Sequence, residues 1–141
     1  MGGASFSIVL INARLVSDAT VSLTNGAGGD GGRGGDGNSG GVGGSEGPAE
    51  VFNSCEAHAA KGGPGGPGGA SGGGAGGNGG PSIGIALVGS SQLTGNPVYY
   101  PGSSGTSGKG GTRGNPAKGA SCYGWGGDEG KPGTVANTFK F

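Results

Sequence analysis

Apolar residues alternate with polar or small ones in three short stretches of this chain. In Ser5–Ile11, Phe6, Ile8 and Leu10 fall on one face, with Ser5, Ser7, Val9 and Ile11 on the other. Ile83, Ile85 and Leu87 repeat the pattern. In the C-terminal VANTFKF, Val135, Asn137, Phe139 and Phe141 alternate with Ala136, Thr138 and Lys140. Period two is the mark of a half-buried strand, so each stretch predicts one. Val51–Phe52 predicts a shorter further strand, and no stretch predicts a helix of useful length.

Between the strands the period changes to three. From Gly26 to Pro48 the sequence reads GGx in one phase, with Ala27, Asp30, Arg33, Asp36, Ser39, Val42, Ser45 and Pro48 on the x row. Three residues per turn is the repeat of the polyproline II helix, which has no internal hydrogen bonds. Its backbone groups must therefore find partners on neighbouring segments, and glycine on two rows lets those neighbours come close. The fold class expected is mostly irregular and β. It would be a layered bundle of polyglycine II (polyproline II) helices with short β-strands and no significant α-helix. Paired glycines at 26–47 and 62–80 predict interior helices. One glycine per turn, at Gly102–Gly114 and Gly124–Gly133, predicts edge helices. The x row shifts from Pro64, Pro67 and Ala70 to Ala75, Asn78 and Pro81, which predicts a corner near Ser71–Gly74. Segments of about nine residues at 3.1 Å each would be ~28 Å long, and eight-residue strands ~26 Å, so the two could lie side by side.

An internal repeat organises these elements. Gly2–Asn38 aligns without gaps onto Gly79–Asn115 at an offset of 77. Phe6, Ile8 and Leu10 then match Ile83, Ile85 and Leu87, and Val21 and Leu23 match Val98 and Tyr100. Gly28, Gly31 and Gly37 match Gly105, Gly108 and Gly114. A repeat of this kind predicts stacked layers, and the expectation is a single glycine-rich domain of two imperfect repeats, 1–78 and 79–141.

Composition narrows the physics. With 43 glycines among 141 residues and 6% aromatics, few large side chains exist to bury. A lattice of backbone hydrogen bonds, each worth roughly 1 kcal/mol net, must hold the fold. The strict glycine phase argues against the disorder that such a composition otherwise implies, and triplets that break repeatedly argue against collagen. Eight basic and eight acidic residues give a net charge of zero. No basic patch is present for nucleic acid, and no apolar run reaches the ~20 residues of a membrane span. No signal peptide is visible after Met1, which fits an excised domain or a protein needing no secretion signal, such as a virion component. Cys55 and Cys122, 67 positions apart, predict a disulfide, since bridges staple domains that lack a core.

Chemistry-bearing constellations are scarce. Cys55, Glu56 and His58 offer a Cys-x₂-His spacing, but even with Cys122 the set lacks a fourth zinc ligand, and the only histidine has no nucleophile context. Asp30 and Asp36 lack the following aliphatic residue of a calcium nonapeptide; with Arg33 they read as a solvated ridge of weak ion pairs. The expectation is no enzyme, no cofactor and no metal. Tyr99, Tyr100, Tyr123 and Trp125 stand in turn-like contexts, VYYPGSSG and SCYGWGGDEG. There they serve either as ligand contacts or as rings laid over bare glycine faces.

On these tracts the chain resembles three groups of proteins. The single-glycine triplets with cysteines resemble collembolan antifreeze proteins, which are polyproline II bundles. GGASGGGAGGNGG is similar to the glycine-rich repeats of mycobacterial and myxobacterial surface proteins. Glycine tracts alternating with variable segments resemble the polyglycine sandwich of phage tail-fibre tip adhesins. The glycine periodicity, the neutral charge and the absence of a catalytic set predict a non-enzymatic structural or adhesive module: a rigid slab presenting loops or self-assembling, at the cell surface, outside the cell or on a virion. Its partners would be a glycan or protein of a cell surface or matrix, or further copies of itself, with no nucleic acid and no membrane span. The alternatives implied are an ice-binding protein and a phage receptor-binding tip.

Overall fold

The computed structural model describes residues 1–49 and 60–141. The strand expected at Val51–Phe52, and Cys55, Glu56 and His58, lie outside the described residues. Among the described residues seven strands run in chain order: β1 (Ser5–Ile11), β2 (Arg14–Val16), β3 (Ser22–Thr24), β4 (Ser82–Val88), β5 (Gln92–Thr94), β6 (Val98–Tyr100) and β7 (Val135–Lys140). They pair only in parallel, as β1-β4-β7, β2-β5 and β3-β6. No helix occurs among the described residues, so the fold is mostly irregular with short β-strands.

That pairing makes the chain a coil. One turn carries β1, β2 and β3, the next stacks β4, β5 and β6 on them, and β7 begins a third. The corner after the first strand repeats from turn to turn. Asn12 (φ 49°) and Gly89 (φ 67°) both take the left-handed conformation, which Asn tolerates and Gly adopts freely. Beside it, buried Ser91 lies with its Oγ 2.9 Å from the Leu10 carbonyl and 2.7 Å from that of Val88, and accepts the Ala13 N–H.

The central strand forms the core. Ile83, Ile85 and Ala86 are buried, as is Ser82, whose hydroxyl donates to the Gly26 carbonyl at 2.8 Å. Its neighbours are less covered. On β1, Ser5, Ser7, Ile8 and Leu10 are half-buried while Phe6, Val9 and Ile11 are exposed, so the simple alternation expected there breaks between Ser7 and Ile8. On β7 only Ala136 is half-buried. Leu15, Leu23, Leu93 and Tyr99 each supply the half-buried middle residue of a three-residue strand.

Each turn continues into glycine tracts that leave the strands and return. Tract 1 (26–47) leads away and tract 2 (62–80) comes back into β4. Tract 3 (102–116) leads away, reverses at a turn where Ala120 donates to the Ala117 carbonyl and Gly119 has φ 88°, and tract 4 (124–133) returns into β7. Residues 1–4 lead into β1 beside Gly29 and Asn78, running parallel to tract 2.

Backbone bonds between tracts follow one rule. Each tract donates one row of N–H groups to the tract before it. Gly65, Gly68, Ser71, Gly74, Gly77 and Gly80 bond to the carbonyls of Gly44, Gly41, Asn38, Gly35, Gly32 and Gly29 at 2.8–3.0 Å. Gly105, Gly108, Gly111 and Gly114 bond to Gly80, Gly77, Gly74 and Ser71, and Gly127, Gly130 and Gly133 to Gly111, Gly108 and Gly105. A second row goes to the tract one full turn onward: Gly28, Gly31, Gly34, Gly37 and Gly40 bond to Ser103, Thr106, Lys109, Thr112 and Asn115, and Gly73, Gly76 and Gly79 to Trp125, Asp128 and Lys131. Glycine is demanded because a Cβ at Gly108 or Gly111 would run into the carbonyl of Gly32 or Gly35.

Four expectations are corrected. Tract 3, expected at an edge, is the most enclosed: Gly105, Gly108, Gly111 and Gly114 are buried, with tracts 1, 2 and 4 all bonded to it. It accepts tract 1 through the carbonyls of side-chain-bearing residues, and its one glycine row meets tract 1 with its bare face while donating its N–H groups to tract 2. Tract 1, expected inside, lies at the outer side. The corner at Ser71–Gly74 does not occur, since tract 2 keeps its register with tract 1 from Gly65 to Gly80. The x row changes because tract 4 begins alongside there. Pro64, Pro67 and Ala70 occupy a row that from Gly73 onward must donate to tract 4. Finally, the repeat is not gapless. The offset is 77 between β1 and β4, 78 between β2 and β5, and 76 between β3 and β6.

Candidate binding surface

Two tyrosines expected as ligand contacts sit on a strand, not on a loop tip. Tyr99 is half-buried in β6; a Cβ at Gly84 would meet its ring at 2.8 Å, and its hydroxyl lies 3.1 Å from Thr138 Oγ1. This ring fills the space that a glycine leaves on β4, which is the packing role. Tyr100, its neighbour, is exposed.

Tyr123 and Trp125 stand where tract 4 begins. Trp125 is 88% exposed, yet its carbonyl accepts the Gly73 N–H at 2.9 Å and a Cβ at Gly72 would lie 3.1 Å from that same oxygen. Its backbone is part of the lattice and its indole is free. The antiparallel register that bonds Gly127 to Gly111 brings Arg113 level with residues 123–125. The Arg113 guanidinium lies 4.9 Å from the Tyr123 ring centroid, a cation–π distance. Arg113 is the member of this surface that sequence reading missed; only the antiparallel pairing of tracts 3 and 4 reveals it. Cys122 adjoins the patch and is exposed. Its expected partner, Cys55, lies outside the described residues.

A second array runs along tracts 1 and 3. Asp30 Oδ1 accepts the Thr106 N–H at 2.7 Å and its hydroxyl at 2.8 Å, and Asp36 Oδ1 does the same for Thr112. Arg33 pairs with Asp36 at 2.7 Å. The threonine hydrogen bonds hold both carboxyls below their ordinary pKa, backbone bond first. Asn78 repeats the arrangement one row over, accepting the Lys131 N–H at 2.8 Å. What reads as a ridge of weak ion pairs is thus mainly a ladder of side chains satisfying the backbone of the next turn. Its sequence signal is Asp-x₅-Asp facing Thr-x₅-Thr at an offset of 76.

Among the described residues, no three His, Cys, Asp or Glu side chains converge to hold a metal ion. Among the same residues, no helix is long and apolar enough to cross a membrane. No protein-family model matches the chain, and neither does a curated protein or a solved structure.

Proposed function

We propose that the four glycine tracts are polyglycine II helices packed in two layers. They make the chain a rigid, non-enzymatic structural and adhesive module of a cell surface, matrix or virion, and its ligand is a glycan. The observation that carries the adhesive role is Trp125. A large apolar ring left almost wholly in water gains nothing for folding, while its backbone is clamped. With the backbone already fixed, a ligand has only the two side-chain torsions of the ring left to order. Flat aromatic faces suit the apolar faces of sugar rings, and Arg113 beside Tyr123 adds donors for hydroxyl or acidic groups.

Three-residue periodicity of the intertract bonds supports the helix reading, since it is the repeat of that helix. Ice binding gains less support. The hydroxyls of Thr106 and Thr112 are committed to carboxylates, and Arg33 and Lys109 interrupt the same face.

Screening the protein against immobilised glycans and whole cells tests the proposal. Binding by the native chain, lost in Trp125→Ala and weakened in Arg113→Ala at unchanged melting temperature, is the expected result. Binding that survives both substitutions, or thermal hysteresis without glycan binding, would overturn it.

A further inference from the structure

Tract 1 has a row of backbone donors that, among the described residues, meets backbone acceptors at one end only. Gly29 donates its N–H to the Gly3 carbonyl at 2.8 Å. Further along the same row, the N–H groups of Gly32, Gly35, Gly41 and Gly44 have no acceptor among the described residues. Tract 2 lines the other wall of the same slot with acceptors. Its Asn78 and Pro81 carbonyls take the N–H groups of Gly2 and Ser5, at 2.7 and 2.9 Å. At the same three-residue spacing, the carbonyls of Ala75, Gly72, Gly69 and Gly66 accept no hydrogen bond among the described residues. Residues 2–5 thus occupy the first turn of a slot with donors on one wall and acceptors on the other, and the slot continues past Met1.

The glycines of the donor row agree. A Cβ at Gly29 would press on Gly3, its nitrogen 2.8 Å away, so glycine is required where a segment lies alongside. At Gly32, Gly35, Gly41 and Gly44 a Cβ would meet nothing within 4 Å. Packing among the described residues gives no reason for glycine there, and each one costs unfolded-state entropy. One position departs from the row. Asn38 gives its N–H to Ser71 Oγ at 2.7 Å, so the chain caps that donor with a side chain and leaves the flanking four open.

We infer that this slot docks an extended segment of a polypeptide other than this chain, with glycine at every third residue. The segment runs parallel to tract 2 and antiparallel to tract 1, as residues 2–5 do. It would accept from Gly32, Gly35, Gly41 and Gly44 and donate to the carbonyls of tract 2. A side chain on its inner row is barred, as a Cβ at Gly2 would run into the Gly29 carbonyl. The inference rests on the open donors and acceptors and is independent of any ligand at Trp125.

Amide hydrogen exchange on the full chain, with acetyl-(Gly-Gly-Ser)₄-amide as probe, tests it. Acetyl-(Gly-Ser)₆-amide serves as a control of the same residue types and the wrong period. At a peptide concentration near ten times Kd, exchange at Gly32, Gly35, Gly41 and Gly44 should slow by about tenfold with the triplet peptide alone. Gly35→Val and Gly41→Val should fold normally, because their side chains enter open space, and should abolish the protection. No protection, equal protection by the alternating peptide, or protection unaffected by the valines would overturn the inference. Protection that appears without peptide and rises with protein concentration would put a second copy in the slot and overturn it as stated.

Discussion

Thr106 gives both its backbone N–H and its hydroxyl to one oxygen of Asp30, 76 positions away in the chain. The bond crosses from one turn of the coil to the next, and Asp36 with Thr112 repeats it six residues on. These side chains do what glycine does elsewhere in the lattice: they give the adjoining turn's backbone a partner.

Acid should weaken this ladder. The carboxyls of Asp30 and Asp36 are held below their ordinary pKa by the threonine donors. A group with a lowered folded-state pKa contributes stability above its unfolded-state value of about 4, and loses it as pH falls through the lower folded value. The melting temperature should therefore drop below about pH 4, and the drop should shrink in the Asp30→Asn, Asp36→Asn double variant. Melting curves from pH 7 downward check this; parallel profiles for both proteins would contradict it.

Tyr99 should matter to folding and not to ligand binding. Tyr99→Phe removes the hydroxyl near Thr138 and should cost about 1 kcal/mol, while Tyr99→Ala, which also empties the space over Gly84, should cost about 3 kcal/mol. Denaturant titration measures both, and equal losses would show that the ring packs less well than its contact with Gly84 implies.

The strands and the threefold rows were legible in the sequence because hydrophobic alternation and glycine phase are local. Ser5–Ile11 and Val135–Lys140 fall where period two places them, and the Gly28 and Gly29 rows do bond laterally. What escaped was depth and register. Counting bare rows on tract 3 suggested an edge, but its one glycine row serves two neighbours at once, lying bare against tract 1 and donating to tract 2. The change of offset was hidden because its two causes nearly cancel. The second turn has one residue more between its first two strands (89–91 against 12–13) and two fewer before the third (95–97 against 17–21). Of the binding surface, Trp125 and Tyr123 could be read directly, but Arg113 joins them only through the antiparallel fold-back.

The terminal strand should be part of the fold. β7 covers one edge of β4, and Ser82 donates to Thr134 just before it. Deleting Val135–Phe141 exposes β4, whose Ile83 and Ile85 are the largest fully buried apolar side chains. The truncated chain should lose its cooperative melting transition or aggregate through the uncovered edge. Unchanged melting of a soluble monomer would show that β7 is dispensable.

The central claim is that glycine rows carry the structure wherever backbones bond across them, and nowhere else. Two substitutions of the same kind test it most directly, by denaturant unfolding of Gly108→Ala and Gly35→Ala. The methyl group at Gly108 would strike the Gly32 carbonyl inside the lattice, whereas at Gly35 it would meet nothing within 4 Å. Gly108→Ala should destabilise by about 2–4 kcal/mol. Gly35→Ala should change stability in the opposite direction, by about +0.5 kcal/mol, through the unfolded chain. Equal losses at the two positions, or tolerance of both, would contradict the account.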